Sequence, residues 1–135
     1  MKKLIALSAS LLFCSSVFSG VVVIVHPSNT ATMDQKEISK VFLGKSKKFP
    51  GGGAAIPIDI SSGDVKSEFT QKVLGKSDSQ IKAYWSKLLF TGKGQAPQSV
   101  SSDAEVIELV SQNPSIIGYV SDTSVNDSVK VLATF

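Results

Sequence analysis

Residues 55–75 read AIPIDISSGDVKSEFTQKVLG, a short apolar run, a turn of small polar residues and an amphipathic segment. Ile56, Ile58 and Ile60 alternate with Pro57 and Asp59, the period of a half-buried β-strand. Pro57 lacks a backbone donor and therefore suits an edge strand or the first residues of a strand. Ser61, Ser62 and Gly63 turn the chain, and Asp64 is placed to cap a helix with Val65, Phe69 and Val73 on one face, ending at Gly75. A strand, a tight serine–glycine turn and a helix start form a potential anion seat, because the first N–H groups of a helix have no intrahelical partner. The same residue types also serve ordinary capping, so the turn alone does not settle the matter.

Outward from this unit, strands and helices alternate. Val21–Val25 is a continuous β-branched run, expected of a strand covered on both faces and hence of a mixed or parallel sheet. The polar loop Ser28-Asn29-Thr30 follows, in the kind of position that often lines a ligand crevice in open α/β sheets. Asp34 and Glu37 have capping-box spacing ahead of Ile38, Val41 and Phe42, with Gly44 closing that helix. Ser77 with Gln80, and Ser102 with Glu105, repeat the spacing. The first pair opens a helix with Ile81, Tyr84, Trp85, Leu88 and Leu89 on one stripe, where the aromatic residues read as core. The second opens one with Val106, Leu109 and Val110, stopped at Asn113-Pro114. Gln98–Ser101, Ile116–Val120 and Val129–Phe135 read as further strands, with Gly118 admitting a close neighbour. The pattern predicts a two- or three-layer α/β domain.

The ends and the composition narrow the function. Lys2 and Lys3 precede an apolar run from Leu4 to Phe18, too short to span and remain in a bilayer, so residues 1–19 read as a signal peptide and 20–135 as one domain. Cys14, the single cysteine, lies in the leader; Phe13 before it is unlike the small residue that precedes a lipidated cysteine. Removing Lys2 and Lys3 leaves twelve basic residues against eleven acidic ones, a near-neutral balance that does not suit nucleic-acid binding. Every basic side chain is lysine, so the planar fork with which arginine grips phosphate is missing. With a single histidine, His26, and no thiol after residue 19, the composition argues against an enzyme. A serine of the 61–62 turn with His26 and an aspartate lacks the surroundings of a nucleophile elbow.

EISKVFLGK (37–45), AIPIDISSGD (55–64), AYWSKLLFTGKGQAP (83–97) and SIIGYV (115–120) stand in an order that resembles the phosphate-binding periplasmic receptors of ATP-driven uptake (ABC) systems. The chain is similar to a short, single-lobe relative of them. The resemblance implies an α/β fold, a single lobe of the type II periplasmic-binding-protein fold with a mixed sheet flanked by helices. It implies an exported, periplasmic protein that binds phosphate or a similar oxyanion, needs no cofactor and works with an inner-membrane transporter or sensor. The site it implies is Ser61, Ser62, Gly63 and Asp64, joined by Ser28, Asn29 and Thr30. In the family an arginine precedes the turn; here Ile60 stands there, and a chain of this length is expected to lack the second lobe, so a second copy is one source of the opposite wall. The alternative is an envelope interaction or sensory-accessory module that keeps the fold without the ligand.

Overall fold

A computed structural model describes residues 20–135; the expected leader and Cys14 lie outside the described residues. The chain runs β1 (Val21–Val25), α1 (Gln35–Phe42), β2 (Ile56–Ile60), α2 (Asp64–Lys72), α3 (Asp78–Phe90), β3 (Gln98–Val100), α4 (Asp103–Gln112), β4 (Ile116–Ser121), a 3-10 turn (Asp122–Ser124) and β5 (Lys130–Thr134). The five strands form one mixed sheet in the order β3-β2-β4-β1-β5. β2 runs parallel to β3 and β4, whereas β1 runs antiparallel to β4 and β5.

Each element forms for a reason visible in its residues. β1 is buried along its whole length, as its unbroken valine and isoleucine run requires of a strand with both faces covered. Pro57 lies in an interior strand, but at its second residue, before β3 begins to pair at Ile58. Its missing donor therefore interrupts no ladder with β3. The capping boxes of α1 (Asp34 and Glu37) and α3 (Ser77 and Gln80) are complete, each with side chain and backbone bonded reciprocally. That of α4 is half formed: Ser102 Oγ accepts from the Glu105 amide at 3.3 Å, while the Glu105 carboxylate accepts from Ser101 Oγ at 2.5 Å. α1 ends at Gly44, whose φ of 74° suits glycine and whose missing Cβ leaves room for Trp85, the nearest atom to an added Cβ lying 3.3 Å away.

Side chains alternate across the strands and separate the helices into layers. On one face Gly118 lies under α4, with Val106 and Val110 against it. On the other, Tyr119 meets Phe42 of α1 and Phe69 of α2. The result is three layers around a core of β1, β4 and the inner stripes of α1, α2 and α4. α3 packs on α1 and α2 rather than on the sheet. The Tyr84 hydroxyl donates to the Leu43 carbonyl at 2.7 Å, and Tyr84 and Trp85 form an edge-to-face pair. Only Ile81 of α3 is buried, so the stripe expected to be core is half open, and Leu89 and Phe90 project to solvent. Periodicity had placed these residues correctly on one face, but that face extends past the layer it covers.

Candidate functional site

β2, β3 and β4 all end at one edge of the sheet, and two helices begin there. The Ser61 amide donates to the Val100 carbonyl at 2.9 Å, which ties the turn after β2 to the end of β3. Ser61, Ser62, Gly63 and Asp64 are all exposed at this edge. The N-cap of α2 is Gly63, not Asp64 as the sequence suggests; Asp64 is the first helical residue. Gly63 has φ 106°, which admits glycine and strains other residues, so the chain cannot simply place a capping side chain there. Among the described residues, α2 is thus the one α-helix of four whose N-cap makes no side-chain hydrogen bond; Asp34, Ser77 and Ser102 satisfy the others. Nothing lies within 4 Å of a Cβ built on Gly63, so the space beside the N-cap is open. Such an end offers donors and a positive dipole to an anion.

Beneath the turn is a network that the sequence reading did not single out. The Asp59 carboxylate accepts from the Tyr119 hydroxyl, from the Ile60 amide at 2.9 Å and from Lys66 Nζ at 2.7 Å. The ion pair fastens the first turn of α2 to β2, and the tyrosine fastens β2 to β4. Lys66 is therefore committed to Asp59, and Ile60, at the position where the family resemblance implies an arginine, is buried. The cation nearest the turn is already neutralised; what remains for an anion is the helix amides and the two serine hydroxyls. The signal available in the sequence was Asp59 itself, a carboxylate between two buried isoleucines of a half-buried strand, which calls for a donor nearby.

Burial and the neighbouring Asp59 carboxylate push the Tyr119 hydroxyl well above the ordinary tyrosine value of 10.0. A tyrosine ionises readily in the unfolded chain near that pH and not in the native one, so the native state holds the proton longer. Stability from this group is complete below pH ~10 and declines as pH rises further, by about 1.4 kcal/mol per pH unit. Tyr119→Phe should cost roughly 1.5–3 kcal/mol at pH 7, as for a hydrogen bond to a charged group. Its deficit relative to wild type, measured by urea unfolding, should stay constant between pH 7 and 9 and shrink above ~10. A deficit unchanged at pH 11 would contradict the assignment.

The structure does not bring the two expected parts of the site together. β1 is antiparallel to β4, with Val25 opposite Ile117, while β2 starts with Ile56 opposite Ile116. Ser28, Asn29 and Thr30 therefore leave β1 at the edge where β2 begins, opposite the edge that carries Ser61–Asp64. Their polar groups serve the loop itself: Ser28 Oγ bonds His26 Nδ1 at 2.7 Å, Asn29 Oδ1 accepts from the Ala31 amide at 2.8 Å, and the Asn29 carbonyl accepts from Lys130 at 2.9 Å. The single-crevice arrangement is corrected to two separate loops. Among the described residues, no group of three or more histidine, cysteine or carboxylate side chains is placed to hold a metal, and no helix is long and apolar enough to cross a membrane.

No protein-family model and no curated protein matches this chain. Solved structures do. An ABC-type phosphate transport receptor from Vibrio cholerae superposes with a TM-score of 0.63 at 17% identity, covering 84% of this chain and 45% of that one. A protein of Clostridium perfringens, assigned as a phosphate ABC-transporter substrate-binding protein and solved with bound phosphate, gives 0.63 at 18% identity over 84% and 44%. PstS of Borrelia burgdorferi gives 0.54 at 21% over 85% and 47%. The chain spans less than half the length of each of these structures. It has the fold of one lobe of a phosphate ABC-transporter substrate-binding protein.

Proposed function

We propose that this chain is an exported, periplasmic solute-binding module of the phosphate-receptor type, which takes phosphate or a similar oxyanion on the bare N-terminus of α2. The observation that carries the reading is the turn Ser61-Ser62-Gly63-Asp64, which leaves the N-cap of α2 without a side-chain hydrogen bond beside two exposed serines, in a fold shared with phosphate receptors. The apolar stretch Leu4–Phe18 behind Lys2 and Lys3 supports export. A closed site needs an opposite wall, and a second copy facing the same edge is one source of it. The site is weak by construction: Lys66 is held by Asp59, and no arginine is present.

The test is the melting temperature against rising phosphate, with sulfate at equal ionic strength as control. Phosphate at a hundred times its dissociation constant stabilises the native state by about 2.7 kcal/mol, a rise on the order of 10 °C for a domain of this size. Ser61→Ala with Ser62→Ala abolishes the phosphate-specific part; an unchanged response in that variant places the ligand elsewhere. A second reading, an interaction or sensory-accessory module of the envelope that has kept the fold without its ligand, is favoured by the engaged Lys66 and by Ile60 standing where the resemblance implies an arginine. Equal responses to the two anions would support it.

A further inference from the structure

The opposite end of the molecule carries a surface that the anion site does not use. An open groove of about 820 Å³ lies between the end of α1, the start of β2 and the C-terminal half of α3, floored by Ile56, Pro57, Trp85, Leu88 and Leu89. Ile56 is 46% exposed, Leu89 67% and Phe90 93%. These are three of the four large hydrophobic side chains that stand exposed among the described residues. Ile56 and Leu89 line the groove and Phe90 follows Leu89 at the end of α3; exposed apolar side chains grouped in this way mark a site of association.

The charges around it are segregated. Residues 38–58 and 79–102, the segments that build the groove, contain Lys40, Lys45, Lys47 and Lys48 in the first and Lys82, Lys87 and Lys93 in the second, with no aspartate or glutamate in either. All eleven carboxylates of the chain lie elsewhere. Lys47 and Lys93 line the groove from its two sides. A near-neutral protein thus presents a groove whose charged lining side chains are lysines alone, complementary to a surface that is both negative and apolar.

We propose that this end docks on an anionic lipid surface. Phe90 and Leu89 enter the interface while the lysines meet the lipid phosphates, as for basic amphipathic segments that lie in a membrane surface. Phe90 decides between this and an acidic protein segment. It is the most exposed apolar side chain and does not line the groove, so a peptide filling the groove leaves it in water. A fluid interface covers the groove and Phe90 together.

Trp85 is the only tryptophan of the chain and lines the groove, so its fluorescence reports on this face even in the full-length protein, whose apolar residues 4–18 are common to every variant. The probe is vesicles of phosphatidylglycerol and phosphatidylcholine in equal parts, containing brominated lipid, compared with phosphatidylcholine alone. Trp85 should be quenched by the anionic vesicles and much less by the neutral ones, and the quenching should weaken as salt rises. Leu89→Ser with Phe90→Ser should raise the lipid concentration for half-quenching at least tenfold with an unchanged far-UV spectrum. Lys47→Gln and Lys93→Gln should each raise it about fivefold. Equal quenching by both vesicle types, no quenching, or quenching that survives the Leu89–Phe90 double substitution overturns the proposal. Binding of polyglutamate at this face without vesicle binding overturns it in favour of an acidic protein partner.

Discussion

Phe69→Ala should lower stability by about 3–5 kcal/mol, the range for truncating a buried aromatic residue, and the melting temperature by roughly 15 °C. Phe69 is 2% exposed and stacks on Tyr119 with ring centroids 3.9 Å apart and planes 4° from parallel. Phe42 meets the edge of the same pair at 4.7 Å from Phe69. Truncation removes the central ring of this trio and loosens the tyrosine whose hydroxyl holds Asp59, so packing and polar losses act together. Phe90→Ala supplies the contrast: the same chemical change at a solvent-exposed residue should alter stability by less than about 0.5 kcal/mol. Urea unfolding of both variants checks the pair. Similar losses at the two positions would mean that Phe69 is not the keystone of the α1–α2 layer.

Gly118→Val should cost about 3 kcal/mol, at the upper end of the overpacking range, with Gly118→Ala less severe. A Cβ on Gly118 would lie 2.5 Å from Val106 Cγ1 and 3.5 Å from Val110 Cγ2, both on α4, which is packed against a strand buried on both faces. Neither side can yield without moving the helix. Val106→Ala removes the offending methyl groups, so the combination Gly118→Ala with Val106→Ala should be markedly more stable than the sum of its single effects predicts. Additive losses would show that the penalty comes from the backbone of β4 rather than from the α4 contact.

Much of this architecture was legible because its signals are local. The β-branched run of β1, the capping pairs Asp34–Glu37 and Ser77–Gln80, and the stop at Asn113-Pro114 each report on their own neighbourhood, and each element appears where its residues place it. The direction of β1 has no such signal. A buried valine run reads the same in a parallel or an antiparallel strand, and only its partners, β4 and β5, decide. That choice moves Ser28–Thr30 to the far edge from Ser61–Asp64. The cap of α2 shifted by one residue because aspartate suits both the N-cap and the first turn of a helix, while Gly63 is selected by its positive φ, which sequence alone does not display. Asp59 was visible as the polar member of an alternating strand, but its partners Tyr119 and Lys66 come from β4 and α2, sixty and seven residues away. The open half of α3 has the same origin. Periodicity identifies an apolar face and not how much of it a neighbour covers.

The central claim, that an oxyanion sits on the uncapped start of α2, is tested most directly by following backbone amide resonances as phosphate is added, with sulfate as control. The account predicts saturable, phosphate-specific shifts concentrated at Ser62, Gly63, Asp64 and Val65, with those of Ser28, Asn29 and Thr30 unmoved at the other edge of the sheet. Shifts that never saturate, or that gather at any other part of the chain, would contradict it.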